Sequence, residues 1–503
     1  MSYADFRYRI ARINDVLCTL NLLAWDSRTM MPPGGVDARA EQVATLTMLA
    51  REMATSDEMA DMLKSAQDEV GGGNDLRARA VSLASREIDI LRRIPAEVTH
   101  EKAALSSRAH AAWVAARQAN DFAAYAPVLE KMMALQRRIS QAIGGTHPYD
   151  AMVGQFEPGM THARLQSIYG ELKTALVPLI RKATNAPQPR HDFMTRAFPI
   201  PAQKAFGLKM AELMGYDLTR GRLDDTAHPF EISFTSDDVR ITSRFRETWL
   251  PGGTFALWHE AGHAMYEQNV APDFKRTIFA TDLVNLYAVG GASFGMHEAQ
   301  SRMWENRVGR SRRFWELHFD DLRSHFPDQL SDVTQDEYWR AVNRVRPDVI
   351  RVEADELTYD MHIILRSEIE ADLMAGNLNV ADLPRVWAEK MRDTLGIDVP
   401  DDTRGVLQDV HWSHGYVGSF PTYTLGNVMS SQLFAEARKA AGVTDGLNGG
   451  DYAPLAAWLR DNVWRHGRSS SPEDTLIRAT GRTLDTAPYI ADLTAKVADL
   501  TAA

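Results

Sequence analysis

A chain of 503 residues with a formal net charge of −11, 45% hydrophobic and 24% charged residues, has the make-up of a folded soluble protein. The acidic balance argues against a phosphate backbone or an anionic lipid surface, so neither nucleic acid nor a membrane is an expected partner, and no apolar run approaches the roughly 18 residues of a spanning helix. One cysteine, Cys18, can form no internal disulfide, and the opening MSYADFRYRIARINDV lacks the apolar stretch of a secretory signal, so a cytoplasmic location is expected.

Taken in order, the chain reads as helix after helix. Apolar residues recur at helical spacing from 3 to about 26, and Cys18 lies on that stripe with Ile10, Ile13, Val16, Leu17 and Leu20, which favours packing over chemistry. Met31-Pro32-Pro33-Gly34-Gly35 forces a turn into a second helix over 36–53, making a helical hairpin. Helices follow at about 57–68, 76–92, 95–119 and 122–143, separated by Gly71-Gly72-Gly73 and by Pro95, which suits a first helical position. His100 and His110 fall here as isolated histidines without a partner motif. After Gly144-Gly145 and a Pro- and Gly-containing connection, a further helix runs from Thr161 to about Ala183.

The pattern changes at His228. In HPFEISFTSDDVRITSRF, Phe230, Ile232 and Phe234 alternate, Val239 and Ile241 alternate, and Ser236-Asp237-Asp238 lies between them, the signature of a hairpin. A strand just before a catalytic helix can hold an extended peptide by its backbone edge. Asp238 and Arg240 read as an ion pair or as support for a site beside it.

The stretch TFALWHEAGHAMYEQN carries the chemistry. Pro251-Gly252-Gly253 reads as a break, Thr254 as an N-cap, and the apolar spacing as a helix with one packed face. At 3.6 residues per turn, His259 and His263 project from the same side and can reach one ion, while Glu260 points at what that ion holds. Zinc in a hydrolytic site takes three protein ligands and activates a water, whose proton a neighbouring carboxylate accepts. Two histidine ligands, a glutamate base and a missing third ligand are therefore expected. The metzincin pattern is excluded by Tyr266 and Asn269. Downstream of Glu267 the next glutamate is Glu298, on a second helical stretch, and it competes with Asp282 for the third position.

HEAGH followed by HEAQSR at 297–302 resembles the carboxypeptidase Taq family of zinc carboxypeptidases, whose further motifs occur in order: HPF at His228–Phe230, DVRIT at 238–242, IRVEAD at 350–355 and GVLQDVHW at 405–412. Likeness also extends to WDSRTMMPPGG near the N-terminus and SFPTYTLGN near 419–427. HEAQSR departs from the commoner HESQSR, and the interval from His259 to Glu298 (298 − 259 = 39) is longer than the family's usual one, which lengthens the loop around 271–288.

Beyond Glu298 helices are expected at 304–325, at 335–375 with Pro347 breaking or bending it, at 383–395 and at 423–441, with short packing helices from Asp451 onward. The fold class expected is mainly α: one large helical body over 1–503 with a long central groove and a small β-sheet beside the HExxH helix. The resemblance implies an N-terminal helical cover over about 1–145, a catalytic part over about 146–503, and a homodimer. It also implies removal of single residues from the free C-terminus of peptides, which requires a cation for the substrate carboxylate. Arg351 is the candidate, with Glu353 or Asp355 as alternative internal partners; Arg240 and His228 are further substrate contacts. His411 and Tyr423 are the candidate donors to the oxyanion. Two histidines and a glutamate suit Zn2+ and also accept Co2+ or Mn2+. A zinc oligopeptidase cutting within short peptides, and a non-catalytic peptide-binding protein with a vestigial metal site, are the alternative functions.

Overall fold

The computed structural model describes residues 1–502 and is mainly α-helical, with twenty α-helices and one three-stranded sheet among the described residues. The chain gathers into two compact units, each drawn from three stretches of sequence. Met1–Arg92, Arg190–Val342 and Met429–Leu484 make the first; Arg93–Pro189, Asn343–Val428 and 485–502 make the second. No described helix is long and apolar enough to cross a membrane.

In the first unit, the opening helix Tyr3–Thr29 starts at a capping box: the Ser2 hydroxyl accepts from the Asp5 N–H and the Asp5 carboxylate from the Ser2 N–H. The proline–glycine turn follows as expected, and Val36–Thr55 packs back along it. The opening helix also braces the sheet. Asn21 donates to the carbonyls of Ser233 and Ala288 at 2.8 and 2.9 Å, and the Cys18 thiol donates to the Phe234 carbonyl at 2.9 Å. Burial pushes that thiol up to about 12, so it stays protonated and serves packing.

The sheet comprises β1 (Gly221–Asp225), β2 (Glu231–Thr235) and β3 (Asp238–Ser243), in the order β1-β3-β2. β2 and β3 form the expected hairpin, with Ile232 opposite Arg240. β1 runs parallel to β3, Gly221 opposite Val239, and has no counterpart in the sequence reading. GRLDD lacks apolar alternation and becomes a strand because β3 offers it a partner. The helix Ile200–Met214 likewise lies outside the elements expected from sequence, although Phe206, Met210 and Met214 carry a helical stripe.

β3 leads into the helix Leu250–Gln268, the motif helix. Its start corrects the sequence reading: Trp249 is the N-cap, and Pro251-Gly252-Gly253 lies within the helix. Proline costs nothing in a first turn, whose N–H groups have no helical acceptor, so the tripeptide opens the helix where a stop was expected. Nor has this helix only one packed face. β2, β3, Ile200–Met214 and Phe294–Arg302 surround it, and most of its side chains are buried. The last of these, the ligand helix, passes into a π-helical segment, Met303–Gly309, where an α-helix was expected from 304; Arg312–His325 follows.

In the second unit the chain is broken around Pro347 as expected and becomes helical again at Tyr359–Ala375. Two buried acids tie that helix to its surroundings. Glu370 accepts from the Tyr149 hydroxyl at 2.6 Å, the Trp412 indole at 2.8 Å and the Gly418 N–H at 2.9 Å; Asp360 accepts from Thr424, Asn427 and Tyr489.

Candidate active site

His259 and His263 project from the motif helix one turn apart, and Glu298 reaches them from the ligand helix. The two Nε2 atoms lie 3.7 and 3.5 Å from the same Glu298 oxygen. Ligand atoms from all three fall within 4.8 Å of one another, the spacing of donors around one ion. Gly262 makes this possible: a Cβ there would stand 2.6 Å from the Gln300 carbonyl oxygen and 2.6 Å from the Ser301 Cα, so only glycine lets the two helices cross this closely.

Both imidazoles are held from behind. His259 Nδ1 lies 2.9 Å from Glu305, and His263 Nδ1 lies 2.7 Å from His297. With each Nδ1 engaged, each Nε2 is left to the triad, so two imidazole nitrogens and a carboxylate form a donor set that fits a divalent cation. Glu305 is in turn held by Arg302 at 3.0 Å and Arg310 at 3.3 Å. The π-helical segment sets its position, a role no spacing in the sequence signals.

The electrostatics separate the two central glutamates. Burial disfavours charge on Glu298, yet Arg302, 2.7 Å away, together with His259 outweighs it and holds that carboxyl well below the usual range. Glu260 has no such arginine. Burial, reinforced by the charges of Glu298 and Glu305 and opposed by His259, lifts its carboxyl to about 7. Burial lowers His263 to about 3, which keeps it neutral and able to ligate.

Of the other candidates in the first unit, Asp282 stands on a turn, accepting from Asn285 and pairing across a bridge with Tyr287, and does not join the triad. Arg240 is gripped by Asp238 through two hydrogen bonds of 2.9 Å and lies over the rings of Trp25 and Phe234. His228 is exposed on the connection between β1 and β2.

In the second unit, Arg351, His411 and Tyr423 gather around Asp409. Arg351 pairs with Asp409 at 2.9 Å and donates to the Tyr359 hydroxyl at 3.1 Å, with its guanidinium 5.5 Å from the Tyr423 ring centre. Neither Glu353 nor Asp355 is the partner. Asp355 instead caps its own turn, accepting from the N–H groups of Leu357 and Thr358. Arg366 binds the other oxygen of Asp409 at 2.6 Å, so two buried guanidiniums share one carboxylate and the cluster keeps a net positive charge. His411 packs on Phe420 with its Nδ1 buried and unbonded; burial, with Arg351 close by, lowers it to about 3. Asp409 was legible only as part of QDVHW, and Arg366 carried no signal.

A family model described as carboxypeptidase Taq (M32) metallopeptidase matches residues 5–497. Carboxypeptidase 1 of Bacillus subtilis is 36% identical over 501 residues, covering 99% of this chain and 98% of its own, and thermostable carboxypeptidase 1 of Thermus thermophilus is 38% identical over 493 residues, covering 95% of each. Among solved structures, the M32 carboxypeptidase from Deinococcus radiodurans superposes with a TM-score of 0.95 at 38% identity, covering 99% of both chains.

Proposed function

The chain belongs to the carboxypeptidase Taq (M32) family and is a metallocarboxypeptidase, and from that premise we propose that it removes single residues from the free C-terminus of peptides, with zinc held by His259, His263 and Glu298 and with Glu260 as general base. The convergence of two Nε2 atoms and one carboxylate, each histidine buttressed at Nδ1, carries this reading. A divalent cation bound there supplies Lewis-acid polarisation of the scissile carbonyl and lowers the pKa of water. Zinc suits the donors best; cobalt or manganese would also be accepted.

The chain's own residues do the rest. Glu260, lifted to about 7, can take a proton from the attacking water and return it to the leaving amine near neutral pH. His411, kept neutral, and Tyr423 are proposed as donors to the oxyanion. Arg351 is proposed to bind the substrate carboxylate. The excess positive charge of Arg351 and Arg366 over Asp409 supports it, since a buried cationic cluster favours an anionic ligand. Arg240, already committed to Asp238, is second choice for that carboxylate, and His228 for a contact nearer the solvent. A cytoplasmic location and a homodimer belong to the same proposal; a lone protonated cysteine agrees with the former.

Timed mass spectrometry of a peptide and of its C-terminal amide tests the reading. The free acid should yield a ladder of one-residue losses and the amide almost none. Chelation should abolish the ladder, and zinc restore it. Internal fragments from both substrates would make the protein an oligopeptidase, and stoichiometric metal without turnover would make it a peptide-binding protein.

A further inference from the structure

His297 precedes Glu298 on the ligand helix, but its ring turns toward the motif helix. Its Nδ1 lies 2.7 Å from Nδ1 of His263, and its Nε2 lies 2.8 Å from Oε1 of Glu267. Glu267 stands one further turn along the motif helix from His263, fully enclosed, and collects donors. The N–H of Gly291 reaches Oε1 at 2.7 Å, the N–H of Gly290 reaches Oε2 at 2.9 Å, and the Ser233 hydroxyl reaches Oε2 at 3.1 Å. Despite its burial, His297 and the N–H groups of Gly290 and Gly291 hold the Glu267 carboxyl below its ordinary range.

With His297 neutral, donors and acceptors fix the proton order along this chain. A carboxylate saturated by N–H and O–H donors can only accept, so the proton of a neutral His297 sits on Nε2 and its Nδ1 is an acceptor. Two nitrogens 2.7 Å apart need one proton between them, which must then belong to His263 Nδ1. His263 Nε2 is left with its lone pair, on the side where Glu298 stands 3.5 Å away. The surroundings are shaped to keep the ring there. A Cβ at Gly291 would lie 2.4 Å from Cδ2 of His297 and 3.0 Å from Cε1 of Tyr266, so a larger residue would drive the imidazole off Glu267.

We infer that His297, anchored by Glu267, is a positioning residue that fixes His263 in the tautomer and orientation able to hold a metal. The inference rests on the proposed metal site. It requires His297 to accept at one end and donate at the other, which a glutamine can imitate through its carboxamide and a leucine cannot.

The full-length protein is stripped of metal and reloaded with zinc against a chromophoric chelator, for wild type, His297→Leu, His297→Gln and His263→Ala; cobalt-loaded samples are read by visible absorption. His297→Leu should bind zinc about 10- to 100-fold more weakly and alter the cobalt spectrum. His297→Gln should recover most of the affinity. Wild-type affinity and spectrum in His297→Leu, alongside a large loss in His263→Ala, would overturn the inference and leave the metal site standing. Undiminished zinc binding by His263→Ala would overturn both. Should His297→Leu fail to fold, the metal-free wild-type protein labelled with 15N-histidine decides: protons on Nδ1 of His263 and on Nε2 of His297 are expected, and a proton on Nε2 of His263 would refute the inference.

Discussion

Glu260 and Glu298 are both buried glutamates within reach of His259, and what separates their chemistry is one arginine. Arg302 keeps Glu298 ionised, as the proposed ligand role requires, whereas Glu260, without such a partner, is lifted to about 7 and can exchange a proton. Glu260→Gln preserves size and polarity but not basicity. Its metal content should equal that of wild type, by elemental analysis, while kcat falls roughly 10²- to 10⁴-fold; near-wild-type turnover would remove Glu260 from the base position. Arg351 poses a parallel question, because its Asp409 bond can be read as structure or as alignment for a substrate. Arg351→Ala should lower kcat/KM on a free peptide by roughly 30- to several-thousand-fold, corresponding to about 2–5 kcal/mol, and affect the amide far less. Equal losses on both substrates would mean that the arginine serves only Asp409 and the local fold.

Between elements, the decisive contact is the crossing of the motif helix over the ligand helix at Gly262. Van der Waals contact begins near 3.4 Å, and a methyl group at 2.6 Å from main-chain atoms of Gln300 and Ser301 has no flexible side chain to displace. Gly262→Ala should therefore force the helices apart, carry Glu298 away from the two Nε2 atoms and cost about 1–3 kcal/mol. Chelator competition should report at least a tenfold loss of zinc affinity together with a lower thermal midpoint. Unchanged affinity would mean that the crossing tolerates a methyl group. The π-helical segment Met303–Gly309 acts at the same scale, since it carries Glu305 to within 2.9 Å of His259.

Across the whole molecule, the polar groups enclosed within each unit make stability depend on pH. Glu370 has three donors, from Tyr149, Trp412 and Gly418, yet burial outweighs them and lifts its carboxyl to about 7 from an ordinary 4.5. Between those two values the folded protein holds a proton that the unfolded chain releases. Raising the pH through this window therefore favours unfolding, and the contribution of this group declines by about 3 kcal/mol. Glu370→Gln cannot titrate. Its absolute stability should fall, but its thermal midpoint should vary less between about pH 5 and pH 7.5 than that of wild type. Parallel pH profiles for the two proteins would show that Glu370 stays ionised under its three donors.

Much of the site was legible because its first half is local. His259, Glu260 and His263 occupy one helix, and the 3.6-residue period alone places the two histidines on one side. The helices of the N-terminal region and the β2–β3 hairpin were legible for the same reason, since capping, proline and alternation act within a few residues. The tertiary structure supplied what depends on distant partners. It brought Glu298 beside the histidines while Asp282 closed a turn, joined Arg351 to Asp409 across 58 positions where Glu353 and Asp355 were the alternative internal partners, and gave β1 a parallel partner that its own residues do not announce. Periodicity and capping record what a segment does along its own axis. Which carboxylate meets which cation is fixed by packing between segments, and in this chain packing also buried the motif helix on nearly every side.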